Sequence, residues 1–213
     1  VGMVLVACDV ASLDTRDIPI HQADSNANEA ATWQPLLRGK GSVIIAPHAI
    51  KRVLIDLENY YLAYAELTTS GGANAIIRVR WAEALNRGTN HWRGDKGNRD
   101  EIDGKFMLGN GDEYITDGGT HRDFAPLWWS AGRYVEVAVQ TRDEPLTIES
   151  FAIRETRYPL EMASAFEASD PSTPSAGQAE RLCHAGPHAQ RLRGGPGGRA
   201  LPPGNRGGGK RGL

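Results

Sequence analysis

Glu83 follows a run in which Ala75, Ile77, Val79 and Trp81 share one strand parity. Alternation along a β-strand therefore aims its carboxylate at the apolar side. A carboxylate placed there needs a cation, several backbone N–H groups or a raised pKa. Two chemistries fit: an acid that protonates or orients a ligand, or one half of a structural ion pair. Arg133 shares the apolar parity of its own segment, "RYVEVAVQ", and is a natural partner for the second. A small hydrolytic site would need a further carboxylate facing Glu83 across a cleft, and Asp112 is the acid available for it.

Asp95, Asp100, Glu101 and Asp103 crowd one stretch, "NRGTNHWRGDKGNRDEIDG" (86–104). Oxygen ligands at short spacing suit calcium. Lys96 and Arg99 interrupt them, however, and the regular alternation of a calcium loop is missing. A solvated charged loop is the expectation; no cofactor is expected, and calcium is the cation this loop would suit. The six His residues have no zinc-like spacing, and neither a phosphate-binding glycine loop nor a nucleophile elbow is present. Sugars present apolar C–H faces that stack on exposed aromatic rings. Trp92 in the loop, Trp128 in "LWW" and nearby Arg99 are the candidate carbohydrate contacts. Alternation places one Trp of "LWW" in the core.

These residues must be held by strands. "SVIIAPHAIKRVLIDL" (42–57) reads as two β runs split at Pro47. "YYLAYAELTTSGG" (60–72) is a β run closed by a Gly-Gly turn, and "ANAIIRVRWAEAL" (73–85) is a half-buried strand with Arg78 and Arg80 on its wet face. "KFMLG" and "DEYIT" are strand fragments, and "FAPLWWSAGRYVEVAVQ" (124–140) puts Val135, Val137 and Val139 on one face. "LTIESFAIRETRY" (146–158) is a strand with a bulge, because its apolar parity shifts between Ile148 and Phe151. Short strands with little helical periodicity predict an all-β chain, an antiparallel β-sandwich of jelly-roll or concanavalin-like type. Residues 1–41 are expected as a lead-in strand and connector from an upstream domain, with a short helix near Asn28–Thr32. Residues 42–164 are expected as the sandwich and 165–213 as a disordered tail.

The charge distribution supports that division. Residues 171–213 hold 11 Gly, 6 Pro, no aromatic residue, and 7 Lys+Arg against one Glu. Such a segment cannot bury enough apolar surface to offset its ordering entropy. Residues 1–170 carry 17 Lys+Arg against 25 Asp+Glu, so the formal −2 of the whole chain is an acidic body plus a basic tail. An acidic body excludes a nucleic-acid surface built on clustered cations. The apolar run in "VGMVLVACDVAS" is too short to span a membrane and makes a poor signal peptide. Cys8 and Cys183, at opposite ends, give no disulfide framework. A cytoplasmic location is expected.

"RVLIDLENYYLAYAELTTSGGANAIIRVRWAEAL", "KGNRDEIDGKFMLGNGDEYITDGG" and "FAPLWWSAGRYVEVAV" resemble the β-sandwich part of bacterial α-L-rhamnosidases, glycoside hydrolase family 78. The pattern comprises Asp56 after an apolar strand, the Gly71–Gly72 turn, Trp81-Ala82-Glu83, Asp112, and Arg133 to Glu136. "RDIP" (16–19) is similar to the family's lead-in, and "AFEASDP" (165–171) to its exit toward the catalytic domain. One departure is Glu58, where family members often carry Gly.

The resemblance implies that hydrolysis, with inversion, belongs to a helical (α/α)₆ barrel following the sandwich, with its two carboxylates there. No catalytic residue and no metal ligand is therefore assigned on this chain. The expectation is a truncated α-L-rhamnosidase-like protein, inactive by itself, whose parent acts on a rhamnose-containing glycan. The alternatives are a stand-alone carbohydrate-binding module and a small enzyme using Glu83 and Asp112. Gly, Pro, Ala and Arg make up 28 of the last 43 residues. A GC-rich gene read out of frame would give such a tail, and a true linker is the rival reading.

Overall fold

The computed structural model describes residues 2–90 and 95–157. Within them lie eight strands: β1 (Met3–Asp9), β2 (Val43–Ile45), β3 (Ile50–Gly71), β4 (Ile76–Ala82), β5 (Asn110–Ile115), β6 (Arg122–Phe124), β7 (Ser130–Gln140) and β8 (Leu146–Glu155). One α-helix, α1 (Ala27–Leu36), is capped by Asn26, whose side chain accepts from the N–H groups of Asn28 and Glu29. The expected tail from residue 165, with the stretch just before it, lies outside the described residues.

β3 organises the sandwich. Its 22 residues join two runs that the sequence separates, and its ladder with β7 shifts register between Asp56 and Tyr61. The shift centres on Glu58, whose φ of 66° is left-handed. A side chain is strained in that conformation and glycine is not. Before the bend, β3 pairs with β1 on one side and β7 on the other, and β7 continues to β4 and β5. After the bend, β3 pairs with β8 and β6, and β8 carries β2 at the edge. Every one of these pairings is antiparallel.

Odd-numbered residues of β3 face inward on both sides of the bend. Val53, Ile55 and Leu57 meet Ala63, Ala65 and Leu67 in the main core, with Ile77, Val79, Trp81, Val135, Val137 and Val139. The parity shift expected in β8 is a bulge: Thr68 pairs with Ser150 but Thr69 with Ile148, leaving Glu149 extra. Trp33 and Leu36 of α1 enter the same core, and β1 pairs with β3 from Met3↔Asp56 to Asp9↔Lys51, with a register shift between Val4 and Val6. β1 and α1, which fall in residues 1–41, the stretch read from sequence as lead-in and connector, thus pack on β3 and its core.

The face of β3, β4 and β7 turned away from this core is also dry. Residues 12–20, 83–90 and 95–108 cover it, and Val6, Ile20, Leu54, Leu85, Ile102, Met107 and Tyr134 form a second apolar cluster there. Arg80, expected on a wet face, is only 5% exposed. It sits in a buried polar cluster instead. Glu136 accepts from Arg52 Nε at 2.7 Å and from Thr15 Oγ1 at 2.6 Å. Arg80 donates to Thr15 at 2.9 Å and to Asp14 at 3.1 Å. Arg52 also donates to the carbonyls of Ile18 and Pro19. The cluster fastens the 12–20 segment to the sheet.

Candidate functional site

Three features converge at one end of the sandwich: the bend of β3, the end of β4 and the start of β7. They frame a cleft of about 330 Å³ lined by Tyr60, Trp81, Glu83, Asn86, Lys96 and Asn110, among others. Gly109 brings the wall close, since a Cβ there would stand 1.8 Å from the Trp81 carbonyl oxygen. Only glycine allows that approach.

Glu83 is half-buried, with 29% of its side chain exposed, and Lys96 Nζ donates to it at 3.0 Å. β4 ends at Ala82, so the strand parity that aimed Glu83 at the core does not extend to it. Arg133, expected as its partner, is engaged elsewhere. It grips Asp56 with two hydrogen bonds of 2.8 Å and reaches Asp100 at 2.5 Å. Asp56 in turn accepts from the Glu58 N–H at 2.7 Å, which closes the bend. The hydrogen bond from Arg133 holds the Asp100 carboxyl below its ordinary range. Hydrogen bonding to Asp56, and then to Asp100, keeps the guanidinium firmly charged. Burial, followed by the Glu83 carboxylate, pushes the Tyr60 phenol up.

The loop acids do not converge on one point. Asp100 goes to Arg133, Glu101 lies 3.8 Å from Lys105, and Asp103 lies 3.6 Å from His21. Asp95 lies 3.9 Å from Arg87. Among the described residues no group of three His, Cys, Asp or Glu is placed to hold a metal ion. Lys105, only 3% exposed, organises the loop by donating to the carbonyls of Lys96 and Asn98. Tyr134 fixes Arg99 through the backbone, its hydroxyl donating to the Arg99 carbonyl at 2.7 Å. Asp112 pairs with Val79 across the β4–β5 ladder, four residues back from Glu83. Asp112 is not among the residues that line the cleft holding Glu83.

Beside the cleft stands an apolar ridge. Leu127, Trp128 and Trp129 are 101%, 72% and 37% exposed. The two indoles lie 6.1 Å apart at 28°. The expectation that one Trp of "LWW" enters the core fails because β7 starts only at Ser130; alternation has no hold on residues outside a strand. Ala131, two residues past Trp129, lines the cleft. Trp92 lies outside the described residues. Sequence reasoning missed the Asp56–Arg133 fork and the Glu136 cluster. The available signal was a charged residue flanked by apolar ones inside each strand, as in "VLIDL" and "YVEVAV".

No helix of the described residues is long and apolar enough to cross a membrane. No family model and no curated protein matches the sequence. Solved structures with a similar arrangement include the GH78 family rhamnosidase of Bacillus sp. GL1, at 17% identity and a TM-score of 0.44 over 61% of this chain. They include a rhamnosidase from Klebsiella oxytoca with rhamnose bound, at 14% and 0.45 over 80%. They also include CpGH89CBM32-6 produced by Clostridium perfringens, at 13% and 0.37 over 62% of this chain and 89% of its own. The chain spans 12% of the Bacillus enzyme and 32% of the Klebsiella enzyme.

Proposed function

We propose that this chain is a non-hydrolytic accessory β-sandwich of an α-L-rhamnosidase-like glycoside hydrolase, one that packs against a companion catalytic domain. The observation that carries the reading is the Leu127–Trp128–Trp129 ridge. Three consecutive large apolar side chains at the surface mark a contact surface rather than chance exposure. A leucine fully in water beside the two indoles makes an apolar protein surface the better occupant.

The cleft carboxylate supports a non-catalytic role. Glu83 is paired with Lys96, and Asp112, the second acid a small hydrolytic site would need, does not line its cleft. The purified chain is expected to leave an aryl α-L-rhamnoside intact; turnover lost in Glu83→Gln would overturn the reading. The triple variant Leu127→Ser, Trp128→Ser, Trp129→Ser is expected to keep its melting temperature and to bind less of an apolar dye. A large fall in melting temperature would show instead that the ridge is part of the fold's own support.

A second reading, a carbohydrate-binding module for a rhamnose-containing glycan, draws on Tyr60, Asn86 and Asn110 in the cleft, whose wall at Ala131 lies two residues along the chain from Trp129. Saturable quenching of tryptophan fluorescence by methyl α-L-rhamnoside, lost in Trp129→Ala, is its expected signature.

A further inference from the structure

The opposite end of the sandwich, where β7 finishes and β3 and β4 begin, holds a larger cleft of about 670 Å³. We propose that it is a binding site for a neutral sugar unit. The proposal rests on the module reading only in the choice of sugars as probes; the geometry is independent of the ridge and of the Glu83 cleft.

The walls are two turns in unusual conformations. His48 has φ 57° and Asn74 has φ 60°, both left-handed, and both line the cleft. Such residues persist where their surroundings over-determine them, and they gather at ligand sites. Here two buried threonines do the fixing. Thr141, 3% exposed, donates its hydroxyl to the Ala46 carbonyl at 2.6 Å and accepts from the Ala49 N–H at 2.9 Å. Thr116, also 3% exposed, donates to the Gly72 carbonyl and accepts from the Ala75 N–H at 3.0 Å. The Asn74 N–H donates to the Thr116 carbonyl at 2.9 Å, and the His48 N–H to that of Arg142 at 2.9 Å. The turns are therefore set before any ligand arrives, which lowers the ordering cost of binding.

Glu144 accepts from the Ala73 N–H at 3.2 Å and ties the two turns together, but other polar side chains in this rigid frame are unspent. Those of Asn74, Gln140 and Arg142 make no hydrogen bond or ion pair with a described residue. His48 and Asp143 are loosely apposed at 3.5 Å and largely exposed. Amide, guanidinium and carboxylate groups are planar and offer two adjacent donors or acceptors. Neighbouring hydroxyls on a sugar ring match that spacing, and each hydroxyl both donates and accepts. Arg142 is set against Asp143 and Glu144, so no charge sign dominates as a phosphate or metal site would require. Ile50 and Ala73 add a small apolar area for C–H groups.

Titration of the ¹⁵N-labelled full chain with methyl α-L-rhamnoside, methyl α-D-mannoside and methyl β-D-galactoside tests this by amide chemical shift. Saturable shifts at His48, Asn74, Gln140 and Arg142 with at least one sugar are expected, in the weak range of a Kd of ~1 mM. Arg142→Ala and Asn74→Gly, the latter suited to the left-handed turn, should each weaken binding about tenfold, as the loss of a bidentate contact worth ~1.4 kcal/mol does. Shifts confined to Tyr60, Ala131 and the Trp129 indole would overturn this site and favour the other cleft. Linear, non-saturating shifts with all three sugars would also overturn it, while leaving the hydrolysis and ridge results untouched.

Discussion

Replacing Glu136 by Gln should remove a large fraction of this protein's stability. Glu136 is fully buried and faces two guanidinium groups, Arg52 at 2.7 Å and Arg80 at 3.5 Å. The side chains of Arg52 and Arg80 are 2% and 7% exposed, so neither can recover its hydration when the carboxylate is lost. The other anion nearby is Asp14, which reaches Arg80 but not Arg52, is shared with Arg16 and is 46% exposed. Removing one member of a buried pair costs ~3–5 kcal/mol, chiefly through the charge left behind. Against a domain stability of ~5–15 kcal/mol, that is a third or more of the total. Urea unfolding followed by circular dichroism would read it as a fall in midpoint at unchanged m-value. The double variant Arg52→Met, Glu136→Leu should lose less than Glu136→Gln alone, because it leaves one buried guanidinium short of Glu136 instead of two, and that one, Arg80, still reaches Asp14. Should Glu136→Gln fail to fold, Thr15→Val samples the same cluster, with an expected loss of ~1.5–3 kcal/mol for a hydrogen bond to a charged group. A cost below ~1 kcal/mol for both single variants would refute the reasoning, since it would mean that water reaches the cluster.

Glu58→Gly should raise stability by up to ~1 kcal/mol, because it relieves a left-handed non-glycine residue whose strain is ~1–2 kcal/mol, less the entropy glycine gains in the unfolded chain; thermal melting would check it. Acid should destabilise the protein. Hydrogen bonds from Arg16, Arg133 and Ser70 depress the carboxyls of Asp14, Asp100 and Glu149, respectively. A depressed folded pKa contributes stability that is present above the unfolded value near ~4 and lost as pH falls through the folded one. The melting temperature should therefore drop below about pH 4, with a shallower fall in Asp14→Asn.

The fold class was legible because its signals are local. Val135, Val137 and Val139 alternate on the inner face, and the parity shift in 146–158 is a real bulge. What the sequence hid was coverage of the outer face. Arg80 looks solvated in "IIRVRWA", yet residues 12–20 lie over it, and no periodicity announces a loop that packs flat on a sheet. The Asp56–Arg133 pair was hidden for the same kind of reason: it joins residues 77 apart, through a register that local alternation does not set. Glu83 misled because parity was extended one residue past the end of its strand. Trp128 and Trp129 misled because parity was applied before a strand had begun.

The continuity of β3 through both layers sets how the molecule opens. A sandwich whose layers were joined only by loops could unzip one layer and keep the other. Here β1, β6, β7 and β8 hydrogen-bond directly to β3; β2 and β4 are held at one remove, through β8 and β7, and β5 at two, through β4. Amides along β3, β7 and β8 should therefore exchange with solvent together, in one cooperative event rather than layer by layer. Its partners come from residues 3–9 and from 122–155, so the strand is completed only by contacts distant in sequence. Such long-range pairing places the chain among slow-folding β-proteins, with β3 exposed as an unpaired template until its last neighbours arrive.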